Sequence, residues 1–191
     1  MKDGYLKFNC NLIYRESPKY IEELKFWRNK FHCLNLIGEY KKIGFGNISL
    51  RNENGFIITG SRTGGIEKLF EDKYVKVTEW DFEKNNLTCV GKIPASSESL
   101  THAAIYDADK KINGIIHIHN FNLWKRLINK IPTTSSKAQY GTFEMVQEIF
   151  RLYSETDVIE KKILAMAGHK DGIISFGESV TEAAEILLKY F

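Results

Sequence analysis

A short segment near the middle of the chain alternates between two kinds of side chain, a pattern that predicts a β-strand. Within residues 114–119, Ile116 and Ile118 fall on one face of an extended strand, and His117 and His119 fall on the other. Two imidazoles on one face of a strand can meet on a single metal ion. Two polar residues facing water at a strand end would explain the pair equally well, so the two histidines alone leave both interpretations open.

Apolar residues at spacings of three and four predict helices elsewhere in the chain. Ser17 and Pro18 predict the start of the first helix, because serine caps helices and proline fits their first turn. Ser179 and Glu182 form a capping box that predicts the start of the last helix. Further helices are predicted over residues 98–109, over residues 122–129 and from residue 142 onward.

Short apolar runs separated by turn residues predict strands between these helices. Asn54 and Gly55 predict a tight turn between two such strands, and Asp171 and Gly172 predict another. The predicted strands cover residues 47–51, 56–59, 74–79, 87–91, 114–119, 162–169 and 173–177.

Composition places the chain among ordinary globular proteins. At 191 residues, with 43% hydrophobic and 27% charged residues, it has the size of one domain. The net charge of +3 and the dispersed basic residues argue against binding to nucleic acid or to a membrane surface. No apolar run reaches the roughly 20 residues of a membrane span, and the N-terminal residues lack the apolar core of a signal peptide. We therefore expect a cytoplasmic protein whose three cysteines are reduced.

Other segments carry candidate chemistry. Residues 60–65 form a glycine-rich loop before a short helical pattern, where exposed N–H groups favour an anion, although a flexible turn is an equally good interpretation. Glu98 falls in the first turn of a predicted helix with Ser97 as N-cap, so its ionised form is favoured as a base or metal ligand. Such glutamates more often only stabilise their helix. One turn further on, His102 is expected to pack against Glu98 or orient it. His169, at a strand end, is a candidate third ligand.

Several of these segments occur together in one order along the chain. The segments are residues 46–49, 59–65, 94–98, 117–119, 140–142 and 168–169. In this combination the chain resembles the class II aldolase/adducin-type family over residues 18–190. The enzymes of that family include fuculose and rhamnulose phosphate aldolases, ribulose phosphate 4-epimerase and methylthioribulose phosphate dehydratase.

The resemblance and the pattern of elements together predict the fold class. We expect a single α/β domain over residues 17–191, preceded by an N-terminal lead-in over residues 1–16. The domain is expected to be a three-layer α/β/α arrangement in which helices flank a mostly antiparallel central sheet.

The resemblance also implies roles for nine side chains. His117, His119 and His169 would bind a divalent metal ion, most often zinc in this family, which leaves coordination positions open for a substrate. Glu98 would be the acid/base that moves a proton at the carbon next to the substrate carbonyl. Tyr140 would reach into a neighbouring subunit's site and help to protonate the leaving aldehyde, which implies a homotetramer with sites at subunit interfaces. The implied phosphate-binding residues are Asn47, Ser61, Ser96 and Ser97.

The activity implied by the resemblance is that of a metal-dependent lyase. Its substrate would be a phosphorylated or otherwise anionic sugar, cleaved in an aldol reaction through a metal-bound enediolate. A dehydratase of the same family also fits a glutamate at position 98, whereas the epimerase has an aspartate there. A non-catalytic, adducin-like oligomerisation module is the remaining alternative, and the three retained histidines argue against it.

Overall fold

A computed structural model describes residues 6–19 and 21–191. The strands in this part of the chain are β1 (Asn9–Tyr14), β2 (Gly38–Tyr40), β3 (Ile43–Phe45), β4 (Asn47–Asn52), β5 (Gly55–Thr59), β6 (Tyr74–Asp81), β7 (Asn86–Gly91), β8 (Gly114–His119), β9 (Ile163–Ala165) and β10 (Gly172–Gly177). The helices are α1 (Glu22–Cys33), α2 (Ser99–Ala108), α3 (Phe121–Leu127), α4 (Phe143–Glu155), α5 (Val158–Lys161) and α6 (Val180–Tyr190), with a 3₁₀ turn at Glu71–Lys73. None of these helices is long and apolar enough to span a lipid bilayer. Residues 1–5 of the predicted lead-in lie outside the described residues.

Among the described residues, the larger sheet contains eight strands in the order β1-β7-β6-β5-β4-β8-β10-β9, while β2 and β3 form a separate pair. Its neighbouring strands pair antiparallel except at one edge, where β1 runs parallel to β7. The sheet is therefore mixed, and the prediction of a mostly antiparallel sheet missed this parallel edge. The reason is that β1 lies in the predicted lead-in, where only Cys10 and Leu12 alternate with polar residues. Pairing with a strand distant in sequence decides its conformation.

The first helix begins later than predicted. Its N-cap position is Ile21, whose side chain makes no capping hydrogen bond, so Ser17 and Pro18 do not start it. Glu22 and Glu23 occupy the first turn instead, where the positive end of the helix dipole stabilises their negative charges.

The last helix begins where the sequence predicts. The Ser179 side chain accepts a hydrogen bond from the Glu182 backbone nitrogen at 3.0 Å. In return, the Glu182 carboxylate accepts a hydrogen bond from the backbone N–H of Glu178 at 2.6 Å. The predicted capping box is therefore present, with its return bond displaced by one residue.

Buried apolar side chains form two clusters, and β8 contributes to both. The first cluster includes residues of α2 and α4 together with Ile115, and the second includes residues of α1 and α6 together with Ile116 and Ile118. Successive residues of a strand point to opposite faces, so β8 is enclosed from both sides. Helices thus pack near both faces of this strand, while the three-layer arrangement of the whole domain stays a prediction.

The neighbours of β8 fix the position of its histidines. β4 and β10 flank it, with Asn47 of β4 and Ile174 of β10 both opposite His117. Gly172 of β10 lies opposite His119. The predicted alternation is confirmed, because Ile116 and Ile118 enter the second core cluster while the two histidines lie on the other face.

The start of β8 packs directly against the start of α6 at Gly114. A Cβ atom built on Gly114 would lie 2.3 Å from the Val180 backbone nitrogen and 2.5 Å from the Ser179 carbonyl carbon. Backbone atoms cannot rotate away as a flexible side chain can. Any larger residue at position 114 therefore pushes the strand and the helix apart.

We expect Gly114→Ala to lower the free energy of unfolding by about 1–3 kcal/mol, the usual cost of overpacking. Gly91→Ala is the matched control, because a Cβ atom there would lie 3.3 Å from its nearest neighbour, a side-chain carbon of Val75. Urea denaturation of both variants measures the difference. Equal losses in the two variants would contradict the prediction.

Candidate active site

One cavity of about 400 Å³ is lined by all nine side chains that the sequence indicates. They come from segments far apart in the chain, so the tertiary fold brings them together. The nine residues are Asn47, Ser61, Ser96, Ser97, Glu98, His117, His119, Tyr140 and His169. Their convergence makes this cavity the candidate active site.

Three histidine rings meet in the cavity. The Nε2 atom of His119 lies 3.1 Å from Nε2 of His117 and 3.0 Å from Nε2 of His169. Ligands arranged tetrahedrally around zinc at about 2.0–2.1 Å are about 3.4 Å apart, which is close to these separations. The three rings are therefore spaced to hold one metal ion between them.

All three histidines are held in the neutral form that can bind a metal. Burial lowers the pKa of His119 to about 4. Burial, reinforced by the neighbouring histidines, also holds the pKa of His117 well below its usual value. The pKa of His169 is likewise well below its usual value, because of burial first and then the nearby His119 and Lys7. Each ring thus keeps a lone pair for a metal at neutral pH.

The second ring nitrogen of His117 fixes the orientation of this side chain. Its Nδ1 atom lies 3.2 Å from the carbonyl oxygen of Ile173 on β10. A protonated Nδ1 donates to this carbonyl, which leaves Nε2 unprotonated and facing the other two rings. Metal-binding histidines commonly have such a partner, so the donor set fits a metal ion.

His169 reaches the cluster from the connection between β9 and β10. The backbone before it packs so closely that a Cβ atom on Gly168 would lie 1.9 Å from the carbonyl oxygen of Ala138. The ring of Tyr140 contacts the His169 ring, with the two centroids 4.6 Å apart. Tyr140 lies two residues after Ala138 in the chain. The close approach of Gly168 to Ala138 therefore brings the rings of Tyr140 and His169 together at the cavity.

Glu98 is positioned by the start of α2. It occupies the N-cap position itself, one residue after Ser97, which the sequence predicts as the cap. One of its carboxylate oxygens lies 3.2 Å from Nε2 of His169 and 3.9 Å from Nε2 of His117. The other accepts a hydrogen bond from the Thr101 hydroxyl at 3.1 Å. This buried carboxylate can therefore act on a substrate bound at the histidines or approach the same metal ion.

His102 does not orient Glu98, contrary to one expectation from the sequence. Its Nδ1 atom lies 2.7 Å from the Ser49 hydroxyl, which also contacts the Tyr106 hydroxyl at 2.8 Å. Complete burial lowers the pKa of His102 to about 3, so the ring is neutral. Thr101, its neighbour in the sequence, holds Glu98 instead.

The glycine-rich loop lies beside the segment that precedes α2. An isolated β-bridge pairs Gly60 with Ala95, and the Ser61 backbone N–H donates to the Pro94 carbonyl at 2.9 Å. Asn47 is buried nearby in the same cavity, and its side-chain oxygen has no hydrogen-bond partner among the described residues. The unpaired Asn47 oxygen is an acceptor, so it suits a donor group of a ligand such as a hydroxyl. The loop and the segment before α2 thus lie together at one wall of the cavity.

Tyr140 lines the cavity of its own chain. The resemblance implies that it reaches into a neighbouring subunit's site, but the side chain is 3% exposed and packs against His169 of the same chain. The ammonium group of Lys7 lies 3.7 Å from the centre of the Tyr140 ring and donates to the Gln139 side chain. Sequence reasoning missed Lys7, because a lysine in a mixed N-terminal segment carries no recognisable signal.

The sequence also did not indicate the apolar part of the cavity wall. The pair β2–β3 contributes Tyr40 and Phe45, and Phe121 comes from the start of α3. The turn of this hairpin consists of Lys41 and Lys42, with φ values of 50° and 65°. Asn-Gly is the usual sequence signal for such a turn, so no motif marked the hairpin.

The solved structures that are similar to this chain include three bacterial proteins. L-fuculose-1-phosphate aldolase from Thermus thermophilus is 19% identical with a TM-score of 0.65, and the match covers 88% of this chain and 87% of that one. YgbL from Klebsiella pneumoniae is 15% identical with a TM-score of 0.66, covering 88% and 83%. A sugar-phosphate aldolase from Thermotoga maritima is 19% identical with a TM-score of 0.57, covering 88% and 93%. At these identities the likeness shows a shared fold.

A family comparison extends over most of the sequence. The sequence model described as Class II Aldolase and Adducin N-terminal domain matches residues 39–189. The match includes every element from β3 to β10 and all nine cavity residues named above. Because it spans well over half of the 191 residues, the chain belongs to the class II aldolase/adducin family.

Proposed function

We propose that this protein is a metal-dependent lyase that cleaves a carbon–carbon bond of a phosphorylated or otherwise anionic sugar by aldol chemistry. The observation that carries the proposal is the meeting of three neutral histidines with the Glu98 carboxylate, 3.2 Å from Nε2 of His169, in one cavity. Membership of the family supports this class of chemistry, and one similar structure is an L-fuculose-1-phosphate aldolase.

His117, His119 and His169 would hold a divalent metal ion, for which we propose zinc. Imidazole nitrogens suit zinc, and three protein ligands leave positions open for substrate oxygens. When bound, such an ion supplies Lewis-acid stabilisation of the negative charge that develops on the substrate during cleavage. Because burial lowers the pKa of each of these histidines, their lone pairs are available at neutral pH without loss of a proton.

We assign to Glu98 the transfer of a proton to the carbon that is left with the electron pair of the broken bond. In cleavage, the hydroxyl on one side of the bond loses its proton to water and becomes an aldehyde, while the bonding electron pair stays on the other carbon. Glu98 takes a proton from water and delivers it to that carbon. The Thr101 hydroxyl, 3.1 Å from one carboxylate oxygen, holds the group in place for this transfer.

The anionic group of the substrate is assigned to Asn47, Ser61, Ser96 and Ser97. These residues share the cavity with the histidines, so a substrate anchored through its phosphate can extend towards Glu98. Tyr140 is assigned a hydrogen bond to the oxygen of the leaving aldehyde, from within the same chain. A homotetramer, proposed from the family resemblance, and a cytoplasmic location stay predictions.

We expect His117→Ala to weaken zinc binding by more than about 100-fold. Loss of a residue that only hydrogen-bonds to a metal ligand already lowers metal affinity about 10–100-fold, and loss of the ligand itself should cost more. Elemental analysis of purified protein measures the zinc content per chain. His32→Ala is the control, since His32 lies on α1 outside the cavity. Full zinc content in His117→Ala, or no bound divalent metal in the wild type, would contradict the assignment.

We expect Glu98→Gln to retain zinc but to lower the rate of cleavage by about 10²–10⁴-fold, because an amide cannot transfer the proton. The assay follows triose phosphate released from ketose 1-phosphates, beginning with L-fuculose 1-phosphate. Glu144→Gln is the matched control, an exposed glutamate in the first turn of α4. Unchanged turnover in Glu98→Gln would rule out its catalytic role, whereas no turnover of any sugar phosphate by the wild type would favour a non-catalytic module.

A further inference from the structure

Arg28, on α1, is buried with an exposure of 1% although its side chain carries a positive charge. Burial lowers the pKa of Arg28, yet an arginine remains protonated at neutral pH. No carboxylate of residues 6–19 or 21–191 forms an ion pair with it. A buried cation with no acidic partner in the described chain requires an explanation.

Neutral carbonyl groups of the glycine-rich loop surround the guanidinium. Its Nη2 atom donates to the carbonyl oxygens of Thr63 and Gly64 at 3.0 and 3.1 Å. Its Nη1 atom donates to the carbonyl oxygen of Glu67 at 2.7 Å and contacts the Asn29 side chain at 3.3 Å. Arg28 therefore fixes the loop and the residues that follow it from the side of α1.

These hydrogen bonds also orient the N–H groups of the loop. In a trans peptide the C=O and N–H of one unit point in opposite directions. Since the carbonyls of Thr63 and Gly64 point towards Arg28, the N–H groups of Gly64 and Gly65 point away from it. Thr63 and Gly64 line the cavity whereas Arg28 does not, so Arg28 does not touch a ligand bound there.

We propose that Arg28 is a positioning residue for anion binding: it turns the loop carbonyls away from the ligand, and its charge behind the loop favours a doubly charged phosphate in front. The inference rests on the proposed function, because it places the anionic group of the substrate at residues 60–65. Little water screens a charge at this depth, so its attraction reaches across one layer of backbone. Backbone N–H groups and a fixed positive charge together are the usual elements of a phosphate site.

Two substitutions at position 28 separate charge from geometry. Arg28→Gln removes the charge and most donors, whereas Arg28→Lys keeps the charge but loses the planar fork. We expect inorganic phosphate to bind about tenfold or more weakly to zinc-loaded Arg28→Gln, a change equivalent to about 1.4 kcal/mol, with Arg28→Lys between it and the wild type. Isothermal titration calorimetry measures the affinity, and zinc content is expected to stay unchanged.

Lys30→Gln is the matched control. Lys30 lies on the same helix and loses the same charge, but its side chain is exposed and outside the cavity wall. Its phosphate affinity is expected to equal that of the wild type. An arginine with a purely structural role would lower the unfolding midpoint of the Arg28 variants and leave the phosphate affinity of the folded protein unchanged, which would overturn the proposal.

A measurement on the wild-type protein decides the question if the Arg28 variants do not fold. Titration with inorganic phosphate is expected to shift the amide NMR signal of Gly64, which lines the cavity, and an unmoved signal would overturn the proposal. A protein that binds zinc and cleaves a sugar phosphate but shows no phosphate response at this loop would refute the role of Arg28 alone. A protein that binds phosphate here but holds no metal would refute the lyase and leave Arg28 in its role.

Discussion

The close approach of three uncharged imidazoles, two of them buried and that of His119 half-buried, is the constraint on which the rest of the structure depends. Nε2 atoms 3.0 and 3.1 Å apart place His117, His119 and His169 in direct contact, so a proton added to one ring would create a charge beside the others. Burial makes that charge costly, which is why the pKa values of all three histidines are low. The fold must therefore cover both faces of β8, the strand that carries His117 and His119.

Strand register is how the fold meets this requirement. β8 lies between β4 and β10, and its Ile116 and Ile118 pack into the second core cluster while its histidines face the cavity. A slip of one residue would exchange the two faces and bury the imidazoles among apolar side chains. The pairings of His117 with Asn47 and Ile174, and the close contact of Gly114 with α6, oppose such a slip.

The cavity has two ends with separate supports. At the histidine end, Glu98 is held by the start of α2 and by Thr101. At the anion end, the loop over residues 60–65 is bridged to the segment before α2 and fixed from behind by Arg28. The two ends meet at the segment before α2, because Pro94 and Ala95 contact the loop and Glu98 follows Ala95 by three residues.

The sequence by itself determined local features: the alternation in β8, the turn near Asn54 between β4 and β5, and the capping box at Ser179. Its resemblance to a family indicated nine residues that line the cavity. Only the tertiary structure decided that β1 joins an edge in parallel, that Tyr140 lies beside His169 of its own chain, and that Arg28 is buried behind the loop. The physical reason is the separation along the sequence of the residues that decide each feature. Periodicity, caps and turns depend on residues a few positions apart, whereas an edge strand's partner and a charge's burial depend on groups distant in sequence.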